Sequence, residues 1–162
     1  MEIVEYTDQY RDDIIRFIVG IQHDEMGVDI TAADQPDLAN IRASYQQKGN
    51  FWMMLDKGSI VGTIALNDIG NGEGALRKMF VHPEYRGKEI GVAQALLKQL
   101  LSCCREREIK TVFLGTIDMM KAAHRFYEKN GFVRLTKEEL PSRFPVMRVD
   151  NTFYKYSFTS PT

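Results

Sequence analysis

The sequence predicts an α/β protein with a mixed central sheet of six or seven strands and helices on both faces. Three observations predict it. Short apolar runs of strand character alternate with longer segments whose apolar residues recur at helical spacing. Two of the apolar runs are joined by a short glycine turn, which makes a hairpin and so antiparallel pairing. Strand–helix–strand units follow, and these close as right-handed crossovers that bring parallel pairing into the same sheet.

Taken in order, EIVEY alternates and reads as a first strand. From Asp8, a capping residue type, Tyr10, Ile14, Phe17, Ile18 and Ile21 mark a helix. HDEMGVDITAAD is polar and reads as a loop, and a second helix is expected from about Gln35-Pro36-Asp37, carrying Leu38, Ile41 and Tyr45. FWMMLD, KGS and IVGTIAL form the hairpin, GNGEG is a glycine-rich link, and ALRKMFV is the next strand. Ile90 to Glu106 is an amphipathic helix with Ala93, Leu96, Leu97, Leu100 and Cys104 on one face. TVFLGT is a buried strand, and DMMKAAHRFYEKN is a helix ended by Gly131. FVRLT and NTFYKYSF close the sheet across the proline-marked loop ELPSRFPVMRVD.

Length and composition fit one domain over residues 1–162 with an ordinary core, 44% hydrophobic and 27% charged. The 21 basic and 22 acidic residues nearly cancel, so no overall field points to nucleic acid or to a membrane surface. No apolar run approaches the roughly 20 residues of a membrane span, and MEIVEYTDQYRDD lacks the layout of a secretory signal. The only cysteines, Cys103 and Cys104, are adjacent on a helix and read as thiols. A cytoplasmic protein without metal is the expectation.

The segment MFVHPEYRGKEIGVAQALL carries the chemistry. A strand ends at Val81, His82-Pro83 stops it, and a basic turn with glycines enters a helix, where backbone N–H groups and the helix dipole favour an anion. Arg86 and Lys88 add positive charge. On this feature alone a phosphate site and a solvated turn are both open. The P-loop pattern and the GxGxxG fingerprint are absent.

Val81-His82-Pro83-Glu84-Tyr85-Arg86-Gly87-Lys88-Glu89-Ile90-Gly91 resembles the cofactor motif of the GNAT superfamily of N-acetyltransferases, an Arg or Gln followed by x-x-Gly-x-Gly/Ala after a V-x-P strand end. AAHRFYEKNGF, Ala122 to Phe132, resembles that family's second motif, and the element order agrees over nearly the whole chain. The resemblance implies a sheet splayed between strands four and five and acetyl-coenzyme A as co-substrate. It implies that the backbone of Met79, Phe80 and Val81 meets the pantetheine arm and acetyl carbonyl. The amides of Arg86, Gly87, Lys88, Glu89, Ile90 and Gly91 would wrap the pyrophosphate. Tyr127 falls where the family protonates the departing thiolate; the alternative for it is an aromatic core residue of an amphipathic helix. Family members commonly pair as homodimers. The chain departs from the pattern twice: Glu89 stands at the first motif glycine, and Met120 stands where an asparagine is common, with Asp118 as a substitute polar group.

On the acceptor side, Glu73 lies too far up its strand from Met79 to serve as base. Arg77, two residues before Met79, is expected on the same side of the sheet, about 7 Å away, where it suits a substrate carboxylate or a cross-strand salt bridge. Glu25 is the expected base and His23 a second acceptor-side residue, both in the loop that covers the acceptor site in the family. His124 is expected at the surface. Phe144, Phe153 and Tyr154 are expected either to wall the pocket or to fill the core. The function expected is direct acetyl transfer to the amine of a small molecule, an amino acid or related carboxylate-bearing amine. The alternative is an acyl-CoA sensor that keeps the cofactor site without the chemistry.

Overall fold

The computed structural model describes residues 1–158. Among them seven strands form one sheet, in the order β1-β2-β3-β4-β5-β7-β6. The strands are β1 (Glu2–Glu5), β2 (Gly49–Asp56), β3 (Ser59–Gly70), β4 (Glu73–Val81), β5 (Thr111–Thr116), β6 (Val133–Leu135) and β7 (Thr152–Ser157). Three α-helices connect them: α1 (Arg11–Asp24), α2 (Val92–Glu106) and α3 (Lys121–Lys129). The expected second helix is replaced by two short turns, a 3₁₀ turn at Pro36–Ala39 and a π turn at Arg42–Gln46. Asn40 between them leaves the helical region (φ −137°, ψ 52°), which breaks the run while Leu38, Ile41 and Tyr45 stay buried.

The glycine-rich link is shorter than its composition suggests. β3 runs to Gly70, and only Asn71 and Gly72 turn the chain, both with positive φ (58° and 72°). Two left-handed residues in a row make a type I′ turn, whose twist matches the strands, and Asn-Gly is its preferred pair.

Alternation along the strands divides the core into two layers. Ile64, Leu66 and Leu76 meet Val92, Leu96, Leu97, Leu100 and Cys104 of α2 and Tyr127 of α3 on one face. Phe51, Met53 and Ala65 meet Ile14 and Ile18 of α1 on the other. On that second face Ala75 and Phe113 are covered by Phe144 from the loop before β7. No helix among the described residues is long and apolar enough to cross a membrane.

Two irregularities shape the centre. β4 and β5 pair in parallel only at Glu73↔Thr111, Gly74↔Val112 and Ala75↔Phe113, and then separate. β4 also bulges, since Thr63 pairs with Phe80 but Ala65 with Arg77, leaving Lys78 and Met79 opposite Ile64 alone. Lys78 takes the strain at φ 53°, and the buried Thr63 hydroxyl donates to its carbonyl at 2.7 Å.

Candidate active site

The separation of β4 from β5 opens a cavity of about 600 Å³ that is lined from both faces of the sheet. Ala93 and Gln94 of α2 and Phe126 and Tyr127 of α3 line it from one side. Gln22 of α1, Met26, Val28 and Phe144 line it from the other, with Met79 to Val81 at the seam. A molecule spanning this cavity passes through the sheet where β4 and β5 have parted, so backbone ladder groups there have no β5 partner, although the Val81 carbonyl accepts from Arg86 Nε at 2.9 Å.

At one end, β4 leads through a 3₁₀ turn (Pro83–Tyr85) to α2. His82 accepts the Glu84 N–H through Nδ1, which gives that residue a structural role. Gly87 and Gly91 have φ of 116° and 76°, and Gly91 begins α2 without any side-chain cap, so the first amides of the helix are left for an external partner. Arg86, Gly87, Lys88 and Gly91 line the cavity. Glu89 and Ile90 are exposed and do not, so the carboxylate at the first motif position points to solvent.

Tyr127 sits on the inner face of α3 with its ring among Phe126, Phe132 and Tyr154. Its hydroxyl donates to the Met79 sulfur at 3.6 Å, which leaves it aimed at the seam. Burial raises its pKa, so the phenol stays protonated. His124, one turn earlier, is buried rather than at the surface, with Nε2 2.9 Å from the Ile117 carbonyl. It shares the inward face with Tyr127 three residues on. Met120 lines the cavity, whereas Asp118 is exposed and does not.

The acceptor side differs most from expectation. The β4 bulge reverses the alternation: Met79 faces α3, while Arg77 faces the α1 layer, 6.0 Å above the Tyr45 ring and 3.5 Å from Asn67 Oδ1. Arg77 is therefore not on the Met79 side, although it still borders the cavity. Glu25 does not line the cavity, and both its oxygens accept from the Arg86 guanidinium, at 2.5 and 2.7 Å. His23 is also off the cavity, with Nε2 2.5 Å from the Ile30 carbonyl. Of the three aromatic residues near the C-terminal end, Phe144 lines the cavity and Phe153 and Tyr154 belong to the core.

Two groups escaped the sequence reading. Lys78 is buried at the cavity wall, donating to Gln35 Oε1 at 2.7 Å and pairing with Asp37 at 3.4 Å. Asp37 also accepts from the Tyr45 hydroxyl, and Gln35 exchanges amide hydrogen bonds with Gln22 at 3.1 and 2.8 Å. The second group is Asp150, on the loop before β7. Neither had a motif to mark it, and strict strand alternation would have turned Lys78 to the opposite face.

Burial lowers the Lys78 pKa from 10.5 to about 8. Between those values the unfolded chain holds a proton that the folded chain has lost, so stability rises with pH across that window. The buried Cys104 thiol pulls the other way over the same window, so the Lys78 contribution is read as a difference: in urea unfolding, the stability of the unaltered protein minus that of Lys78→Met should rise from pH 8 to pH 10. An equal change with pH in both proteins would contradict the burial of this ammonium.

The profile of the acetyltransferase (GNAT) domain matches residues 47–134. An acetyltransferase of the GNAT family from Staphylococcus aureus Mu50 is similar over 96% of this chain and 98% of its own, with 40% identity and a TM-score of 0.93. An acetyltransferase from Streptococcus agalactiae is 31% identical with a TM-score of 0.92, over 97% of this chain and 98% of its own. The N-acetylaspartate synthetase of Danio rerio is 33% identical over 106 residues, 64% of this chain and 37% of that protein. The chain thus spans well under half the length of that curated relative.

Proposed function

The chain belongs to the GNAT family of acetyltransferases, and from that premise we propose that it moves an acetyl group from acetyl-coenzyme A directly to the amine of a small, carboxylate-bearing molecule. The single domain performs this in a ternary complex. The observation that carries the reading is the cavity through the opened β4–β5 seam, which joins the uncapped turn before α2 to Tyr127.

The pyrophosphate sits on the amides between Arg86 and Gly91, beside the Arg86 and Lys88 charges. The free edge of Met79, Phe80 and Val81 takes the pantetheine arm and the acetyl carbonyl. Tyr127 is the general acid. Its burial makes it a weaker acid than free tyrosine, so donation to a thiolate of pKa near 8.5 runs uphill alone. The protonated nitrogen of the adduct is far more acidic and makes the exchange favourable. Neither cysteine is placed to be a nucleophile: Cys104 is buried in the α2 layer with its pKa pushed up to about 12 by burial. The acceptor carries an acid group because Arg77, paired with no carboxylate among the described residues, puts a guanidinium at the far end of the cavity. A relative named N-acetylaspartate synthetase supports that class.

Calorimetric titration with acetyl-coenzyme A tests the reading. The unaltered protein should bind, and Gly91→Glu should lose binding, because it forces a side chain into a left-handed residue and adds a carboxylate at the anion site. An unaltered protein that fails to bind contradicts the proposal. Glu25→Gln should instead tighten binding a few-fold, since Glu25 competes with the pyrophosphate for the Arg86 fork. That pair is partly exposed, so its release amounts to about 1 kcal/mol at most. Weaker binding by this variant would give Glu25 a different role.

A further inference from the structure

An acceptor amine of lysine-like pKa arrives as an ammonium at neutral pH, and one proton must leave before its nitrogen can attack. Glu25 is committed to Arg86 and lies off the cavity. Asp37 is committed to Lys78 and the Tyr45 hydroxyl. Asp150 is not committed in this way.

Asp150 lines the cavity where β5 has parted from β4. Its Oδ2 lies 2.5 Å from the point a Cβ on Gly115 would occupy, so only the lack of a side chain there admits the carboxylate to the open end of β5. Oδ2 accepts the Met147 N–H at 3.3 Å, and among the described residues no donor is bonded to Oδ1. The charged and titratable groups that face it are Arg77 and Lys78 from β4 and Tyr127 from α3. Burial raises its pKa above the ordinary 3.8, against the pull of the two cations and the Met147 amide. The carboxylate is thus a better proton acceptor than an exposed one.

We infer that Asp150 is the general base that takes the proton from the acceptor ammonium; this rests on the acetyl transfer proposed above. The ammonium gives one proton to a carboxylate oxygen of Asp150, and the freed lone pair forms the bond to the acetyl carbonyl carbon. The carbon–sulfur bond then breaks with its electron pair on sulfur. Tyr127 gives its proton to that thiolate and regains one from the nitrogen, which is left as a neutral amide. Asp150 passes its proton to solvent, so one proton is released per turnover. Base and acid thus stand on the two faces of the sheet, with the reacting carbon in the opened seam.

Asp150→Asn keeps the shape and an acceptor for the Met147 amide while removing the base. The test compares it with the unaltered protein for acetyl-coenzyme A affinity, and for coenzyme A thiol release with a mixture of the twenty standard amino acids, at pH 7 and pH 10. The variant should bind acetyl-coenzyme A as the unaltered protein does and lose about 100-fold or more in kcat at pH 7. It should recover part of that loss at pH 10, where far more of the acceptor amine is unprotonated than at pH 7. A variant within threefold of the unaltered protein at pH 7, or an equal loss at both pH values, overturns the assignment. So does an unaltered protein that binds the co-substrate but releases no thiol. Failure of the unaltered protein to bind at all overturns the acetyl transfer itself, and the assignment with it.

Discussion

Tyr127→Phe should lower kcat by about 100-fold or more while leaving acetyl-coenzyme A affinity and the unfolding midpoint nearly unchanged. The two effects separate because of what the hydroxyl touches. Its one hydrogen bond among the described residues is to the Met79 sulfur at 3.6 Å, a weak contact whose loss costs the fold little. The ring stays where Phe126, Phe132 and Tyr154 hold it. Only the proton for the departing thiolate is removed. Steady-state kinetics with calorimetry on the same protein reads both effects, and a variant within threefold of the unaltered kcat would take Tyr127 out of the chemistry.

Gly49→Ala should destabilise the fold by on the order of 4 kcal/mol. Gly49 opens β2 at φ 143°, and a Cβ there would stand 1.9 Å from the Leu66 carbonyl oxygen and 2.8 Å from its carbon. Both atoms are backbone in β3, so no rotamer relieves the clash and the β2–β3 register must give way. Urea denaturation measures the effect. A loss below about 1 kcal/mol would mean that β2 does not approach β3 this closely.

Most of the fold was legible because it rests on periodicity. The α2 stripe of Leu96, Leu97, Leu100 and Cys104 is buried as spaced, and TVFLGT is β5 without a residue of error. The two short turns at 36–46 were not, since Leu38, Ile41 and Tyr45 keep helical spacing while Asn40 breaks the backbone between them. The Asn71-Gly72 turn was signalled by its dipeptide but hidden within GNGEG, where all five residues look like linker.

The site divides along the same line. Arg86, Gly87, Lys88, Gly91 and Tyr127 are brought to one cavity by elements adjacent to their motifs. The acceptor side depends on contacts between distant segments, and there local rules mislead. One bulged residue, Lys78, moves Arg77 off the Met79 side and buries an ammonium. Glu25 is drawn to Arg86 across 61 positions of sequence. Asp150 reaches the seam only because Gly115 is a glycine, a pairing that no spacing could announce.

The central claim is catalysis at the opened seam, and turnover tests it most directly. Purified protein would be given acetyl-coenzyme A with amino acids singly, L-aspartate among them, while free thiol and acetylated product are both quantified. Catalysis predicts thiol and N-acetylated product in equal amounts for at least one carboxylate-bearing amine. Saturable binding of acetyl-coenzyme A with neither thiol release nor acetylated product from any acceptor would contradict it, and would leave a site that senses the acyl group without transferring it.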